Sequence, residues 1–238
     1  MTKPILETHG LTRHYGGIHA VNEVSLSVGT GEIRALIGPN GAGKTTLVSL
    51  LSGRVGASAG RVIFAGEDIT SLAAHKRMTK GMAYTFQITS VFGNLSAFEN
   101  VALAVQRRLG GRGRALKDEV NAALLRVGLD GHADETAGNM AYGHQRQLEI
   151  AMGIAQKPRL LILDEPTQGL AAGEIDAFIE LIRDLGGSTT ILLIEHNMDV
   201  VMALAQQITV LDQGRIIAEG TPDAIRDNTS VQDAYLGR

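Results

Sequence analysis

Two stretches of this sequence carry residues that could work on a phosphate group. The first, Gly38-Pro39-Asn40-Gly41-Ala42-Gly43-Lys44-Thr45, fits the spacing G-x-x-x-x-G-K-[ST] at every fixed position. Its glycines let the backbone curl so that several N–H groups point inward at phosphate oxygens. A helix beginning there adds its positive end. Lys44 supplies a mobile charge for β- and γ-phosphates, and Thr45 a hydroxyl for Mg²⁺. The second stretch, Leu160-Leu161-Ile162-Leu163-Asp164-Glu165, is an apolar run ending in two acids. Beside a phosphate loop, Asp164 would hold the metal, directly or through water, and Glu165 would polarise an attacking water. Two acids at a strand end are by themselves more often only solvated. Their coupling to the phosphate loop is what gives them chemistry.

These groups need elements to hold them. Ile33–Ile37 reads as a buried strand feeding the loop, and residues 45–51 as the helix leaving it. The acidic strand is expected directly beside the phosphate-loop strand, with Pro166 ending it. Upstream, Val24, Leu26 and Val28 alternate before a turn at Gly29-Thr30-Gly31, and residues 61–64 read as another strand. From about 89 to 155 the texture changes to helical spacing, as in Val120, Ala123, Leu124 and Val127, which predicts a helical lobe inserted into an α/β core. Within it, the basic, glycine-broken run 107–114 reads as a solvated connector rather than a nucleic-acid patch. The last third returns to α/β alternation. It has a helix face at Ile175, Phe178, Ile179, Ile182 and Leu185, a strand at Thr190–Ile194 and a helix from about Met198. A hairpin turns at Asp212-Gln213-Gly214, and Thr221-Pro222 reads as a helix cap with proline at the first position.

Composition narrows the function classes. The chain has 238 residues, 44% hydrophobic and 20% charged, as expected of a globular protein with a sizeable core. A net charge of −3 argues against a surface that coats nucleic acid. With no cysteine, disulfides and thiolate sites are excluded, in keeping with a reducing compartment. No apolar run approaches the roughly 20 residues of a spanning helix, and residues 1–7 lack a signal peptide's apolar stretch. At a membrane the chain would therefore be held by a partner. Aromatics at 4% and the absence of tryptophan leave little for a membrane belt or a base-stacking platform.

Taken with shorter motifs, the two stretches make the chain resemble the ATP-binding-cassette ATPases over nearly its whole length. The resemblance implies an α/β fold: a P-loop NTPase (RecA-like) core with an N-terminal antiparallel β subdomain and an inserted α-helical lobe. It implies a single domain, with the core at about 1–88 and 156–220, the lobe at about 89–155 and a short helical tail at 221–238. The implied cofactors are ATP and Mg²⁺. Nucleotide contacts are implied for Gly38, Asn40, Gly41, Gly43, Lys44, Thr45 and Thr46, and metal contacts for Thr45, Asp164 and Gln87. Tyr15 stands where the family stacks an aromatic on adenine. Gln87, in Tyr84-Thr85-Phe86-Gln87, matches the glutamine that reaches metal and attacking water, and His196 matches the histidine at the γ-phosphate. Catalysis would thus rest on Glu165, His196, Gln87 and Lys44.

The family's signature commonly reads Leu-Ser-Gly-Gly-Gln. Here it is Met140-Ala141-Tyr142-Gly143-His144, keeping only Gly143. Ala141 lacks the hydroxyl that would reach ATP on an opposite subunit, so Ala141, Tyr142, Gly143 and His144 would act through the backbone and the helix start. Ala171, ending Gln168-Gly169-Leu170-Ala171, departs as well. The Ala-Tyr-Gly signature, Thr85-Phe86-Gln87-Ile88-Thr89 and Ile194-Glu195-His196-Asn197-Met198 resemble ATP-binding subunits of importers for branched-chain and other hydrophobic amino acids, amides and urea. That implies polytopic permease subunits, a second cassette chain as homo- or heterodimer, an extracytoplasmic substrate-binding protein, no nucleic acid, and a place at the cytoplasmic face of the inner membrane. Alternatives stay open: an exporter cassette of the lipopolysaccharide-extracting kind, a soluble cassette ATPase outside transport, or a regulatory subunit that hydrolyses poorly.

Overall fold

A computed structural model describes residues 3–85, 90–109 and 113–236. Two sheets share the work of positioning the loops. The N-terminal one is antiparallel and built around a long strand, β1 (Pro4–Tyr15). It pairs with β2 (Ile18–Val24), β3 (Ser27–Gly29) and β5 (Ala59–Phe64), and β6 (Glu67–Asp68) adds to β5. The Val24, Leu26, Val28 alternation spans a break between β2 and β3, yet all three side chains are buried.

The second sheet runs in the order β11-β10-β4-β9-β8-β7, where β4 is Ile33–Ile37, β7 Met82–Thr85, β8 Leu160–Asp164, β9 Thr190–Ile194, β10 Gln207–Asp212 and β11 Arg215–Gly220. It is parallel from β10 through β7, with β11 antiparallel at one edge. The strands β4, β8 and β9, apolar apart from Arg34, Asp164 and Thr190, are buried at every residue, as inner strands of a doubly covered parallel sheet must be. The hairpin β10–β11 and the Thr221 cap with Pro222 at the first turn of α8 (Pro222–Arg226) form as expected; the Thr221 side chain accepts from Ala224 N–H.

The acidic strand β8 does not lie beside the phosphate-loop strand, contrary to expectation: β9 separates it from β4. One intervening strand sets the axes about 10 Å apart. Local sequence carries no information about that order, because Leu160–Leu163 and Ile191–Ile194 are equally apolar and equally fit for the inner position.

Helices α3 (Ala97–Leu109), α4 (Arg114–Arg126) and α5 (Tyr142–Ile154) intervene between β7 and β8 and pack on one another through Val101, Val105, Val120, Leu124, Leu148 and Ala151. The run 107–114 is not one loop. Helix α3 continues through Arg107, Arg108 and Leu109, and α4 begins at Arg114. Arginine is a good helix former and suits a helix C-terminus, and Arg108 is held there by an ion pair to Glu119 of α4.

Helix α1 (Lys44–Ser52) carries the phosphate loop at its start, and its far end is held by a buried arginine. Arg77, in α2 (Ala74–Thr79), donates to the carbonyls of Leu50 (2.7 Å), Leu51 (2.8 Å), Thr70 (2.8 Å) and Leu72 (2.9 Å). Burial alone pulls its pKa down to about 10, although Asp68 opposes the shift. Arg77→Leu would leave those carbonyls without their donor. The expected cost is about 3 kcal/mol in urea unfolding, since each buried acceptor then keeps its desolvation penalty. A change below about 0.5 kcal/mol, the usual range for surface substitutions, would contradict this role.

Candidate active site

The loop after β4 wraps the start of α1 and opens into a depression of about 670 Å³. Asn40, Gly41, Ala42, Gly43, Lys44, Thr45 and Thr46 line it, with Glu165 opposite and Ile18, His19, Ala20 and Gln213 at the rim. Gly43, at φ 100°, is the N-cap of α1, and a Cβ there would stand 2.2 Å from the Ala20 carbonyl oxygen. Only glycine allows the loop to lie this close to β2 and still turn into the helix.

Lys44 is buried, and its ammonium donates to the carbonyls of Gly38 (2.7 Å) and Pro39 (3.1 Å). Burial lowers its pKa, while Glu165 and Asp164 pull the other way. Both carboxylates are thus within electrostatic reach of the loop lysine, across the intervening strand. Thr45 is exposed to the depression and Thr46 half-buried.

Asp164 ends β8 almost wholly buried. Its Oδ2 accepts a 2.6 Å bond from the Tyr84 hydroxyl, which itself receives Arg54 Nη1 at 3.0 Å. Burial pushes the Asp164 carboxyl up; Tyr84's bond pulls it down and the charge of Glu165 adds to the rise. Burial, then the bond to Asp164, also holds the Tyr84 phenol well above its ordinary range. A buried carboxylate disfavoured in its ionised form, beside a second acid, is a donor set that a divalent cation would relieve. The residues therefore fit Mg²⁺.

Glu165 has left the strand. Its φ is 47°, and its N–H donates to the Ile194 carbonyl at 2.9 Å, which turns the side chain into the depression. His196, two residues past the end of β9, is exposed. Between them stands Glu195, fully buried, accepting from Thr167 and from the backbone of His196 and Asn197. Neither Glu195 nor Tyr84 belongs to the site residues expected from the sequence. Glu195 is marked in one respect: it follows the four apolar residues Ile191–Ile194 as Asp164 follows the four of Leu160–Leu163.

The other expected residues lie apart. Tyr15, at the end of β1, is half-exposed with the Arg13 guanidinium 4.5 Å over its ring, and it does not line the depression. Ala141 is the N-cap of α5 and offers no side-chain cap. Tyr142 is exposed, and His144 lies 4.5 Å, ring to ring, from His132. Gly143 packs tightly against α6 (Ala172–Gly186): a Cβ there would stand 2.1 Å from Glu174 Oε1, whose other oxygen caps α6 by accepting from Ala171 N–H at 2.7 Å. Gly143 and His144 line a separate cavity of about 180 Å³ between α5 and α6. Gln87 lies outside the described residues. The Ser90 N–H donates to Glu149 Oε1 of α5 at 2.5 Å, and Glu149 Oε2 pairs with Arg146 at 2.8 Å. Burial nonetheless raises the Glu149 pKa against both partners.

Comparison with known proteins places this geometry. The high-affinity branched-chain amino acid transport ATP-binding protein BraF of Pseudomonas aeruginosa is 41% identical over 253 aligned residues, covering 100% of this chain and 99% of that protein. LivG of Escherichia coli K12, described in the same words, is 39% identical with the same coverage. The crystal structure of MJ1267, an ATP-binding cassette of an ABC transporter, in its ADP conformation superposes with a TM-score of 0.87 at 27% identity, covering 100% of both chains. Residues 215–238 match the family described as branched-chain amino acid ATP-binding cassette transporter. Residues 21–168, from β2 through the phosphate loop, α5 and the two acids, match the family described as ABC transporter, and the chain belongs to that family.

Proposed function

We propose that the chain is the ATP-binding and ATP-hydrolysing subunit of an importer for branched-chain and related hydrophobic amino acids. The observation that carries the reading is that Lys44 and Glu165 line one depression, with the buried Asp164 carboxylate within electrostatic reach of Lys44. The amino-acid cargo is supported by full-length similarity to BraF and LivG and by the 215–238 match. Residues 1–238 would form one cassette domain, with the core at about 1–88 and 156–220, the lobe at about 89–155 and the tail at 221–238.

In this reading the phosphates of ATP lie on the N–H groups of residues 40–46, with Lys44 leaving its carbonyl partners for β- and γ-oxygens. Thr45, Asp164 and Gln87 would hold Mg²⁺, which would supply charge neutralisation on the transferred group when bound. Glu165 orients and polarises the water for in-line attack, and His196 contacts the γ-phosphate. Tyr15 stacks on adenine. Ala141, Tyr142, Gly143 and His144 complete the site of a second cassette chain through backbone N–H groups at the start of α5. Their distance from this chain's own depression is what such a division of labour needs. Because the γ-phosphate would then bridge two chains, nucleotide state sets the dimer population.

Among the described residues no helix is long and apolar enough to cross a membrane. The proposal therefore places the chain at the cytoplasmic face of the inner membrane through permease subunits, with an extracytoplasmic binding protein in the same system. Affinity capture of this chain from gently solubilised membranes, followed by mass spectrometry, tests it. Two polytopic permeases, with or without a second cassette chain, are expected. Recovery with soluble or nucleic-acid-associated proteins alone would overturn the transport assignment and leave the ATPase assignment standing.

A further inference from the structure

Glu195 is the most completely buried charged residue in the described chain, and its two oxygens divide their work. Oε1 accepts from the Thr167 N–H at 3.0 Å and the Thr167 hydroxyl at 2.5 Å. Oε2 accepts from the His196 N–H at 2.9 Å and the Asn197 N–H at 3.1 Å. One oxygen therefore holds the loop leaving β8, two residues beyond Glu165, and the other holds the loop leaving β9, at His196 itself. The His196 Nδ1 is 3.9 Å from Oε2, too far for a hydrogen bond, so Glu195 holds the His196 backbone rather than its exposed ring. A backbone bond from the Glu165 N–H to the carbonyl of Ile194, at the end of β9, joins the same region at 2.9 Å.

We propose that Glu195 is a positioning residue that sets Glu165 and His196 relative to each other, by bridging their two loops with one buried carboxylate. This rests on the ATPase reading above. A carboxylate suits the task because all four incoming groups are donors and a carboxylate is acceptor-only. Glutamine keeps the shape but turns one end into an NH₂ donor. That end must then face either the Thr167 pair or the His196 and Asn197 N–H groups, so one loop is released whichever way the amide turns. Asn197 also caps α7 (Met198–Leu204), its side chain accepting from Asp199 and Val200 N–H, so release of its backbone would spread into that helix start.

The test compares wild type, Glu195→Gln, His196→Ala and the double variant, with ATP turnover and the affinity of a fluorescent ATP analogue as readouts. Glu195→Gln is expected to lower kcat about ten-fold or more, the scale on which misplaced catalytic groups act. The analogue's Kd should move less than about two-fold, because Glu195 touches none of residues 38–46. In the His196→Ala background Glu195→Gln should cost clearly less than in wild type, since residues acting as a unit are not additive. Thr167→Val, which removes only the hydroxyl bond, should fall between wild type and Glu195→Gln, and Thr167→Ser should restore turnover. A structural defect alone would lower nucleotide affinity and multiply through both backgrounds equally, and that result overturns the proposal. Amide hydrogen exchange without nucleotide decides the bridge separately: Thr167 or His196 and Asn197 should exchange faster in Glu195→Gln, and unchanged protection overturns it. A wild-type chain with no turnover would count against the ATPase reading, and the exchange data would still decide the bridge.

Discussion

Replacing Glu165 by glutamine is expected to lower ATP turnover about a hundred- to ten-thousand-fold, the range supplied by a positioned general base. ATP affinity should be nearly unchanged. The substitution keeps size and hydrogen-bonding reach but removes the charge that polarises water. The fold should tolerate it. Glu165 holds its left-handed φ of 47° through its backbone N–H to Ile194, and the new side chain alters neither atom of that bond. Thermal unfolding should therefore stay within about 0.5 kcal/mol of wild type. With hydrolysis blocked and ATP retained, the chain should accumulate as an ATP-dependent dimer in size-exclusion chromatography with light scattering. Turnover at the wild-type rate would remove Glu165 from the mechanism and send the search for a base to other residues around the depression.

Lys44→Ala should act earlier, at binding. The ammonium donates to the Gly38 and Pro39 carbonyls and is penalised by burial, with Glu165 and Asp164 partly compensating. A triphosphate offers it stronger, charged acceptors. Charge-assisted bonds of this kind contribute about 1.5–3 kcal/mol, so the variant should bind ATP about ten- to a hundred-fold more weakly. The equilibrium readout is isothermal titration with ATP and Mg²⁺, and the same titration with ADP should show a smaller loss, because the γ-phosphate contact is missing there. Equal affinity for ATP in wild type and variant would mean that the loop does not hold the terminal phosphates.

Much of this is legible in the sequence, for a physical reason. The phosphate loop is local: its glycines, lysine and hydroxyl must be contiguous to surround one phosphate chain, so their spacing survives in the sequence. Asp164 and Glu165 were readable because a fully buried strand leaves a clear apolar run before them. The strand order was not, since β8 and β9 are alike in composition and their places depend on the crossovers between them. Nor were the buried polar links. Arg77, Tyr84, Glu149 and Glu195 are ordinary polar residues in the sequence. Each becomes informative only when packing removes its water and leaves particular partners, such as four carbonyls for Arg77 or four donors for Glu195. The run 107–114 misled for the opposite reason. Its charge suggested a connector, yet the buried Val101 and Val105 below it keep α3 helical through Leu109.

The direct test of the account is ATP-driven uptake by the complex this chain belongs to. The complex, captured through this chain and reconstituted in liposomes with its binding protein, would be offered labelled leucine, with ATP and Mg²⁺ on the side of the cassette. The account predicts leucine accumulation that requires ATP, competes with isoleucine and valine, and is lost when this chain carries Glu165→Gln. Uptake that persists with Glu165→Gln, or ATP hydrolysis by the complex that no branched-chain amino acid stimulates or follows, would contradict it.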